Sequence, residues 1–132
     1  MKQGLVGPDT LEADIEGVLG ELAFCKMMNL YPDMEIRVQS HSYDCSLNSL
    51  RIDVKTSKYK QARLLVDIRK RVEDCDIYVL MVGENGEYEC AGWTYAWAIV
   101  NYSCIMDVGH GDSYGLSQDA LLPLSDLKEM YD

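Results

Sequence analysis

The sequence predicts a single α+β domain in which a leading N-terminal helix packs on a mixed β-sheet flanked by short helices. Three patterns support this prediction: apolar residues at helical spacing over 9–30, alternation of apolar and polar residues over 50–55, and a continuous apolar run over 77–82. The length of 132 residues suits one hydrophobic core and is too short for two ordinary ones. We therefore expect residues 1–132 to form one domain.

The first element is predicted to be a long helix over residues 9–30. Pro8 is tolerated in a first helical turn, and the acidic residues that follow it favour the positive end of the helix dipole. Apolar side chains then recur at spacings of three and four until Pro32 ends the pattern.

Glu21 stands out in this helix because its neighbours at helical spacing are mostly apolar. A carboxylate on such a face is costly without a partner. Gly17 and Gly20 each weaken a helix interior by up to about 1 kcal/mol relative to alanine. Their presence indicates that another backbone or a ligand approaches the helix closely.

The remaining sequence predicts mostly strands. Ile36 and Val38 alternate with polar residues, residues 42–49 have the composition of a turn, and residues 50–55 complete a hairpin. Residues 59–72 fit either a strand centred on 64–68 or a basic helix, and we favour the strand. The other predicted elements are a strand over 77–82, a turn over 84–87, a strand over 88–93, a short helix over 94–100, an irregular stretch around 109–111, a strand near 114–116 and a helical turn from Ser125.

The composition is that of a soluble globular protein, with 48% apolar and 26% charged residues. It contains no run of about 18 apolar residues and no signal-peptide pattern, which predicts a cytoplasmic protein that does not associate with a membrane. The five cysteines include no CxxC pair, so neither a disulfide framework nor a zinc site is indicated. We expect reduced, mostly buried thiols.

Charge is distributed unevenly along the chain. The formal net charge of −10 opposes binding to a polyanion. Residues 51–71, however, contain eight of the twelve Lys and Arg residues and two acidic residues, which gives this segment a net charge of +6. Such a segment is either a solvated face or a nucleic-acid-binding surface. The eight cations are Arg51, Lys55, Lys58, Lys60, Arg63, Arg69, Lys70 and Arg71.

Asp53 and Lys55 give the clearest chemical pattern in the sequence. Two residues apart in a strand, they project from one face while Ile52 and Val54 project from the other. Asp44 precedes Asp53 by nine residues, a separation that allows it to lie at the end of the neighbouring strand. Two neighbouring carboxylates repel each other, so the arrangement is favourable mainly with a divalent cation or the lysine. The alternative is a surface salt bridge between Asp53 and Lys55.

The order of these segments resembles the PD-(D/E)XK nuclease superfamily, which has the restriction-endonuclease-like fold, and is most similar to its small phage-encoded members. The similarity rests on the GELAF helix at 20–24, on Tyr43-Asp44, and on residues 52–57, IDVKTS. It covers about residues 15–127, and Tyr43 stands where the motif is named for proline. Further matching segments are DIYVLMV at 76–82, Gly92-Trp93 and YGLSQDAL at 114–121.

The resemblance implies a restriction-endonuclease-like core. It also implies that Glu21, Asp44, Asp53 and Lys55 are the catalytic residues, each with its own role. Asp44 and Asp53, with Glu21 and the Val54 carbonyl, would hold one or two Mg²⁺ or Mn²⁺ ions through oxygen ligands. Lys55 would orient or deprotonate the attacking water and offset charge on the phosphate. The expected function is metal-dependent phosphodiester hydrolysis, with DNA favoured over RNA.

A nucleic-acid-binding surface is expected beside these residues, formed by Lys58, Lys60, Arg63, Arg69, Lys70 and Arg71. Thr56, Ser57 and Gln118 are candidate accessory residues that contact phosphate or a metal-bound water, and surface capping is the alternative for all three. A chain of this size has little room for a separate recognition element, which favours structure-selective cleavage over long-sequence readout.

Two other functions stay open. A catalytically inactive interaction protein or acidic nucleic-acid mimic with the same fold fits the net charge of −10 better, while the intact four-residue pattern opposes it. An RNA-directed nuclease has the same motif. We expect a homo-oligomer or a phage or host protein partner and, for a phage-encoded chain, the host cytoplasm as its location.

Overall fold

The computed structural model describes residues 8–30, 45–47, 49–107 and 111–131. These residues form two β-sheets and three α-helices, which confirms the α+β class and the mixed sheet. In the same residues, no helix has the length and hydropathy needed to cross a membrane. The elements are α1 (Pro8–Met28), β1 (Cys45–Leu47), β2 (Leu50–Ser57), β3 (Leu64–Asp67), β4 (Ile77–Glu84), β5 (Glu87–Tyr95), α2 (Ala96–Tyr102), β6 (Cys104–Asp107), β7 (Asp112–Leu116) and α3 (Leu124–Tyr131).

The larger sheet has the strand order β1-β2-β4-β5. β2 runs parallel to β4, with Ile52 opposite Ile77, and the other two pairs are antiparallel. The predicted second hairpin is β4–β5. Its turn contains Asn85 and Gly86 at φ values of 57° and 88°, a conformation that Asn-Gly pairs adopt readily.

The first hairpin differs from the prediction. Residues 45–47, assigned from the sequence to a turn over 42–49, form β1, so the turn assignment was wrong for these three residues. Pairing places Cys45 opposite Ile52, and both side chains are buried in the core, which stabilises the short strand. Ser49, which directly precedes β2, has a positive φ of 72°. The strand predicted around Ile36 and Val38 lies outside the described residues.

α1 packs on one face of this sheet and confirms the predicted helix to within two residues of each end. Its contact with β2 is close at Gly20, where a Cβ atom would lie 2.0 Å from Thr56 Oγ1. Glu16 ties the helix to the β4–β5 hairpin by accepting hydrogen bonds from the Asn85 N–H at 3.1 Å and from the Tyr88 hydroxyl. The core on this face contains Phe24, Cys25, Cys45, Ile52, Val54, Ile77, Val79, Met81, Trp93 and Leu127.

The opposite face of the larger sheet is covered by the antiparallel sheet β3-β7-β6 and by α2. β3 confirms the choice of a strand within residues 59–72, and β7, α2 and α3 confirm the predicted strand and two short helices. β6 was not predicted. A second core lies between the layers and contains Leu64, Val66, Cys75, Tyr78, Leu80, Ala96 and Ile99. Three of the five cysteines are buried, Cys90 is half-buried and Cys104 is exposed.

Arg51 joins β2 to the residue before β4. Its backbone N–H donates to Asp76 Oδ2 at 2.7 Å, and its Nε and Nη2 atoms donate to the two carboxylate oxygens at 3.2 Å each. Asp76 N–H donates back to the Arg51 carbonyl at 2.9 Å. These bonds from Arg51 lower the pKa of Asp76. The guanidinium group of Arg51 therefore has a structural role, because it links β2 to Asp76.

We expect Gly17→Ala and Gly20→Ala, a matched pair on one helix, to have opposite effects. At position 17 no described atom lies within 4 Å of an added Cβ, so the higher helix propensity of alanine should raise the free energy of unfolding by up to about 1 kcal/mol. At position 20 the methyl group would overlap the buried Thr56 hydroxyl, and we expect a loss of about 1–3 kcal/mol. Urea denaturation measures both, and equal stabilisation would contradict the close contact.

We expect Asp76→Asn to destabilise the protein in a pH-dependent way. A carboxyl group whose pKa is lowered by folding stabilises the fold above its unfolded pKa of about 4 and loses that contribution as the pH falls. The difference in stability between parent and variant should therefore be largest near neutral pH and shrink below about pH 4. Urea unfolding at several pH values measures it, with the exposed residue Asp119, as Asp119→Asn, for control. A difference that does not vary with pH would contradict the ion pair.

Candidate active site

Asp53 and Lys55 come together on one face of β2. Asp53 is 6% exposed, and its Oδ1 atom lies 3.5 Å from the Lys55 Nζ atom. In the parallel register Asp53 is opposite Tyr78 and Lys55 is opposite Leu80, both residues of the second core. The Lys55 side chain is 35% exposed, so it contacts solvent as well as the buried carboxylate of Asp53. Val54, between them, is buried in the first core.

Besides Lys55, Asp53 is close to the buried side chains of Tyr78 and Cys75. Tyr78 and Cys75 are each 1% exposed and are hydrogen-bonded to each other. Burial raises the pKa of Cys75 to about 12, and it also raises the pKa of Tyr78 well above its usual 10; the negative charge of Asp53 adds to both shifts. Both groups are neutral at pH 7, and the Lys55 ammonium is a nearby positive charge that partly compensates Asp53.

Glu21 lies on α1, half-buried, over the face of β2 opposite that of Asp53 and Lys55. It is five residues after Glu16, or about 140° further round the helix. Glu16 binds the β4–β5 hairpin, so this rotation places Glu21 on a different flank of α1 from that contact. Asp44 lies outside the described residues. Within the described part of the chain, no three His, Cys, Asp or Glu side chains are grouped so as to hold a metal ion.

A cleft of about 370 Å³ opens beside Lys55. Arg63, Tyr59 and Leu65 also line it, so one residue of the predicted nucleic-acid-binding set shares the cleft with Lys55. Tyr59 was not among the predicted site residues, although the Lys58-Tyr59-Lys60 sequence places an aromatic residue between two cations.

Gln118 and Ser57 hold the loop that follows β2. Gln118 Nε2 donates to the carbonyls of Lys60 and Ala62 at 2.9 and 2.8 Å, and Ser57 Oγ accepts from the Tyr59 N–H at 3.2 Å. These contacts correspond to the capping alternative for both residues. They give the loop a fixed path next to the Lys55 cleft.

Thr56 faces the opposite side of β2, against α1. Its Oγ1 atom is buried and has no hydrogen-bond partner among the residues that the structure describes. The contact with Gly20 explains the position of the side chain, and Thr56 is also among the residues that line the Lys55 cleft.

The other cations divide into two groups. Arg69 Nη2 lies 2.6 Å from Asp67 Oδ2, and Arg71 lies 3.5 Å from a carboxylate oxygen of Glu73 and 3.7 Å from one of Asp74. Hydrogen bonds from Arg69 hold the pKa of Asp67 well below its usual range. A second group has no carboxylate within 4.0 Å in the parts of the chain that are described. It contains Lys58, Lys60, Arg63 and Lys70.

Thr56→Val should keep or raise the free energy of unfolding, by up to about 1 kcal/mol, because it removes a buried hydroxyl that lacks a partner while keeping the side-chain shape. Thr56→Ala, the control, leaves a space beside α1 and should lower stability. Urea unfolding measures both variants. A Thr56→Val protein that kept its stability but lost an activity of the parent would assign a functional role to the hydroxyl.

The sequence matches the model of one protein family. Residues 9–92 match a family of unknown function, DUF5843, and this stretch runs from α1 into β5. It includes Glu21, Asp44, Asp53 and Lys55, whereas Gln118 lies beyond it. No curated protein and no solved structure matches the chain. Because the match covers more than half of the sequence, the chain belongs to DUF5843.

Proposed function

We propose that this protein is a metal-dependent nuclease of the PD-(D/E)XK type that hydrolyses phosphodiester bonds, with DNA favoured over RNA. The observation that carries the proposal is the pairing of a 6% exposed Asp53 with the Lys55 ammonium at 3.5 Å, beside a cleft. A surface salt bridge joins two exposed side chains, and Asp53 is not exposed. A buried ionisable group next to a cleft is a candidate functional group, because burying it carries a free-energy penalty.

The restriction-endonuclease-like core is part of this proposal. It is supported by α1 packing on a mixed sheet and by the central position of β2, which carries Asp53 and Lys55 two residues apart.

The donor chemistry fits Mg²⁺ or Mn²⁺ at Asp53, because these ions prefer carboxylate and carbonyl oxygens. Asp53 is one ligand, so the proposal requires others, and Asp44 is the first candidate. Asp44 directly precedes Cys45 in the sequence, and Cys45 pairs with Ile52, the residue before Asp53. Glu21 and the Val54 carbonyl are further candidate ligands. A bound divalent ion would polarise the phosphate and lower the pKa of water.

Lys55 would act on the phosphate itself. Its partly exposed ammonium lies where the cleft meets the buried carboxylate, so it can orient the attacking water and offset charge that develops on the phosphate. Arg63 lines the same cleft, and Lys58 and Lys60 lie on the adjoining loop. These cations would bind the flanking phosphates, since they have no carboxylate partner within the described residues.

Asp53→Asn and Lys55→Ala should separate metal binding from chemistry. Asp53→Asn removes a negative charge that a cation needs, so both Mn²⁺ affinity and cleavage should fall, cleavage by roughly 100-fold or more. Lys55→Ala removes a positive charge beside Asp53, so Mn²⁺ should bind at least as tightly while cleavage falls by roughly 100- to 10,000-fold. Calorimetry with Mn²⁺ and cleavage of plasmid, linear duplex, single-stranded and branched DNA and of RNA measure these effects.

Asp119→Asn makes the same charge change at an exposed position and should cleave at the parent rate. If Asp53→Asn and Lys55→Ala also cleaved at the parent rate, the two residues would be a structural ion pair and the proposed active site would be wrong. A parent protein that cleaves none of these substrates with Mg²⁺ or Mn²⁺ would reject the nuclease function.

A catalytically inactive interaction protein is the second candidate. The net charge of −10 favours it, and so does a row of exposed apolar residues along the outer face of α1, since such rows often mark protein contacts. These residues are Leu11, Ile15, Val18 and Leu22. Metal-dependent cleavage that is lost in Asp53→Asn would exclude this candidate.

A further inference from the structure

The loop of residues 58–63, here called the Tyr59 loop, holds an exposed aromatic ring on a fixed backbone. Tyr59 is 67% exposed. Its N–H donates to Ser57 Oγ at 3.2 Å, and its carbonyl accepts from the Ala62 N–H at 3.0 Å. Gln118 adds two hydrogen bonds to the same loop, to the carbonyls of Lys60 and Ala62. The backbone is therefore ordered by polar contacts while the ring stays available to a ligand.

The surroundings of the ring combine aromatic and cationic groups. The Lys58 ammonium lies 5.5 Å from the centre of the Tyr59 ring, and Lys60 and Arg63 are exposed on the same loop. Tyr59 also lines the cleft that contains Lys55 and Arg63. Proteins that bind single-stranded nucleic acid combine such groups, because bases stack on the aromatic ring while the cations contact phosphates.

The two clefts that Tyr59 lines differ in charge, and this difference favours one of them for the phosphates of a bound strand. Tyr59 also lines a second cleft, of about 430 Å³, whose lining includes Glu12, Glu16 and Glu84 as well as Lys58. Three carboxylates repel phosphate. The strand backbone is therefore favoured on the side of Lys55 and Arg63, with a base directed towards the ring.

We propose that Tyr59 is a base-stacking residue and that the ligand of this surface is nucleic acid with unpaired bases beside the phosphate bound at Lys55. This inference rests on the proposed nuclease function and narrows its substrate class. In a duplex both faces of a base are covered by its neighbours, so a ring on a surface loop stacks only on a base that is unpaired or at an end.

The test compares binding of three short fluorescent DNA ligands of equal length: a single strand, an abasic strand with the same phosphates and no bases, and a duplex. Ca²⁺ replaces Mg²⁺, and gel electrophoresis checks that the strands stay intact. We expect the parent to bind the single strand more tightly than the abasic strand. Tyr59→Ala should weaken binding of the single strand by about 5-fold or more, the effect of one stacking contact, and leave the abasic strand unchanged.

Three variants complete the comparison. Tyr59→Phe keeps the ring and should keep the preference for bases. Trp97→Ala removes a 48% exposed aromatic residue that follows β5, at the end of the sheet remote from Ser57, and should have no effect. Lys60→Gln removes one phosphate contact, so it should weaken binding of the single and abasic strands equally.

Equal affinity of the parent for single and abasic strands would overturn the stacking role, and so would an unchanged preference in Tyr59→Ala. Neither result bears on the nuclease function, which the Mg²⁺ cleavage assay tests separately. A base preference that depends on Tyr59 in a protein that cleaves no substrate would support the stacking site and reject the nuclease function.

Discussion

Parallel pairing of β2 with β4 is the constraint on which the candidate site depends. It makes β2 an inner strand of the larger sheet and sets Asp53 beside Tyr78 and Lys55 beside Leu80. One face of this sheet is covered by α1 and the other by the three-stranded sheet and α2. Asp53 is buried between these layers, whereas Lys55, two residues nearer the end of the strand, reaches the cleft. The same strand thus supplies a buried anion and an accessible cation.

The electrostatics of this arrangement favour a cation. Tyr78 and Cys75 stay neutral at pH 7 because burial raises both pKa values, and the Lys55 ammonium at 3.5 Å is partly in solvent. Burying an ionised carboxylate carries a free-energy penalty. A divalent ion that binds the folded chain would offset this penalty through its binding free energy. The proposed function therefore explains why a buried aspartate is present on an inner strand, and a surface ion pair does not.

The elements with long, regular patterns were predictable from the sequence. α1, β2 and the β4–β5 hairpin follow from apolar spacing and from the Asn85-Gly86 turn. β1 and β6 have three and four residues, too few for an alternation to be distinguished from a turn or irregular chain. β1 pairs with β2 and β6 pairs with β7, and this pairing satisfies the backbone hydrogen-bonding groups of both short strands. Their formation therefore depends on tertiary contacts, which the local sequence does not show.

The candidate site was predictable to a similar degree. Strand alternation is enough to place Asp53 and Lys55 on one face. The face of the sheet that α1 covers, and hence the position of Glu21, depends on the packing of layers and is not encoded in local spacing. The Lys58-Tyr59-Lys60 sequence indicates cations near a ring, but only the hydrogen bonds from Gln118, 58 residues from Lys60, show that the loop has a fixed path.

The measurement that tests the central claim most directly is anomalous diffraction from crystals of the protein soaked in Mn²⁺. The proposal predicts a manganese peak about 2.0–2.6 Å from a carboxylate oxygen of Asp53, with Asp44 as a second ligand. Manganese bound elsewhere with none at Asp53, or carboxylates of Asp44 and Asp53 on separate faces of the fold, would contradict it.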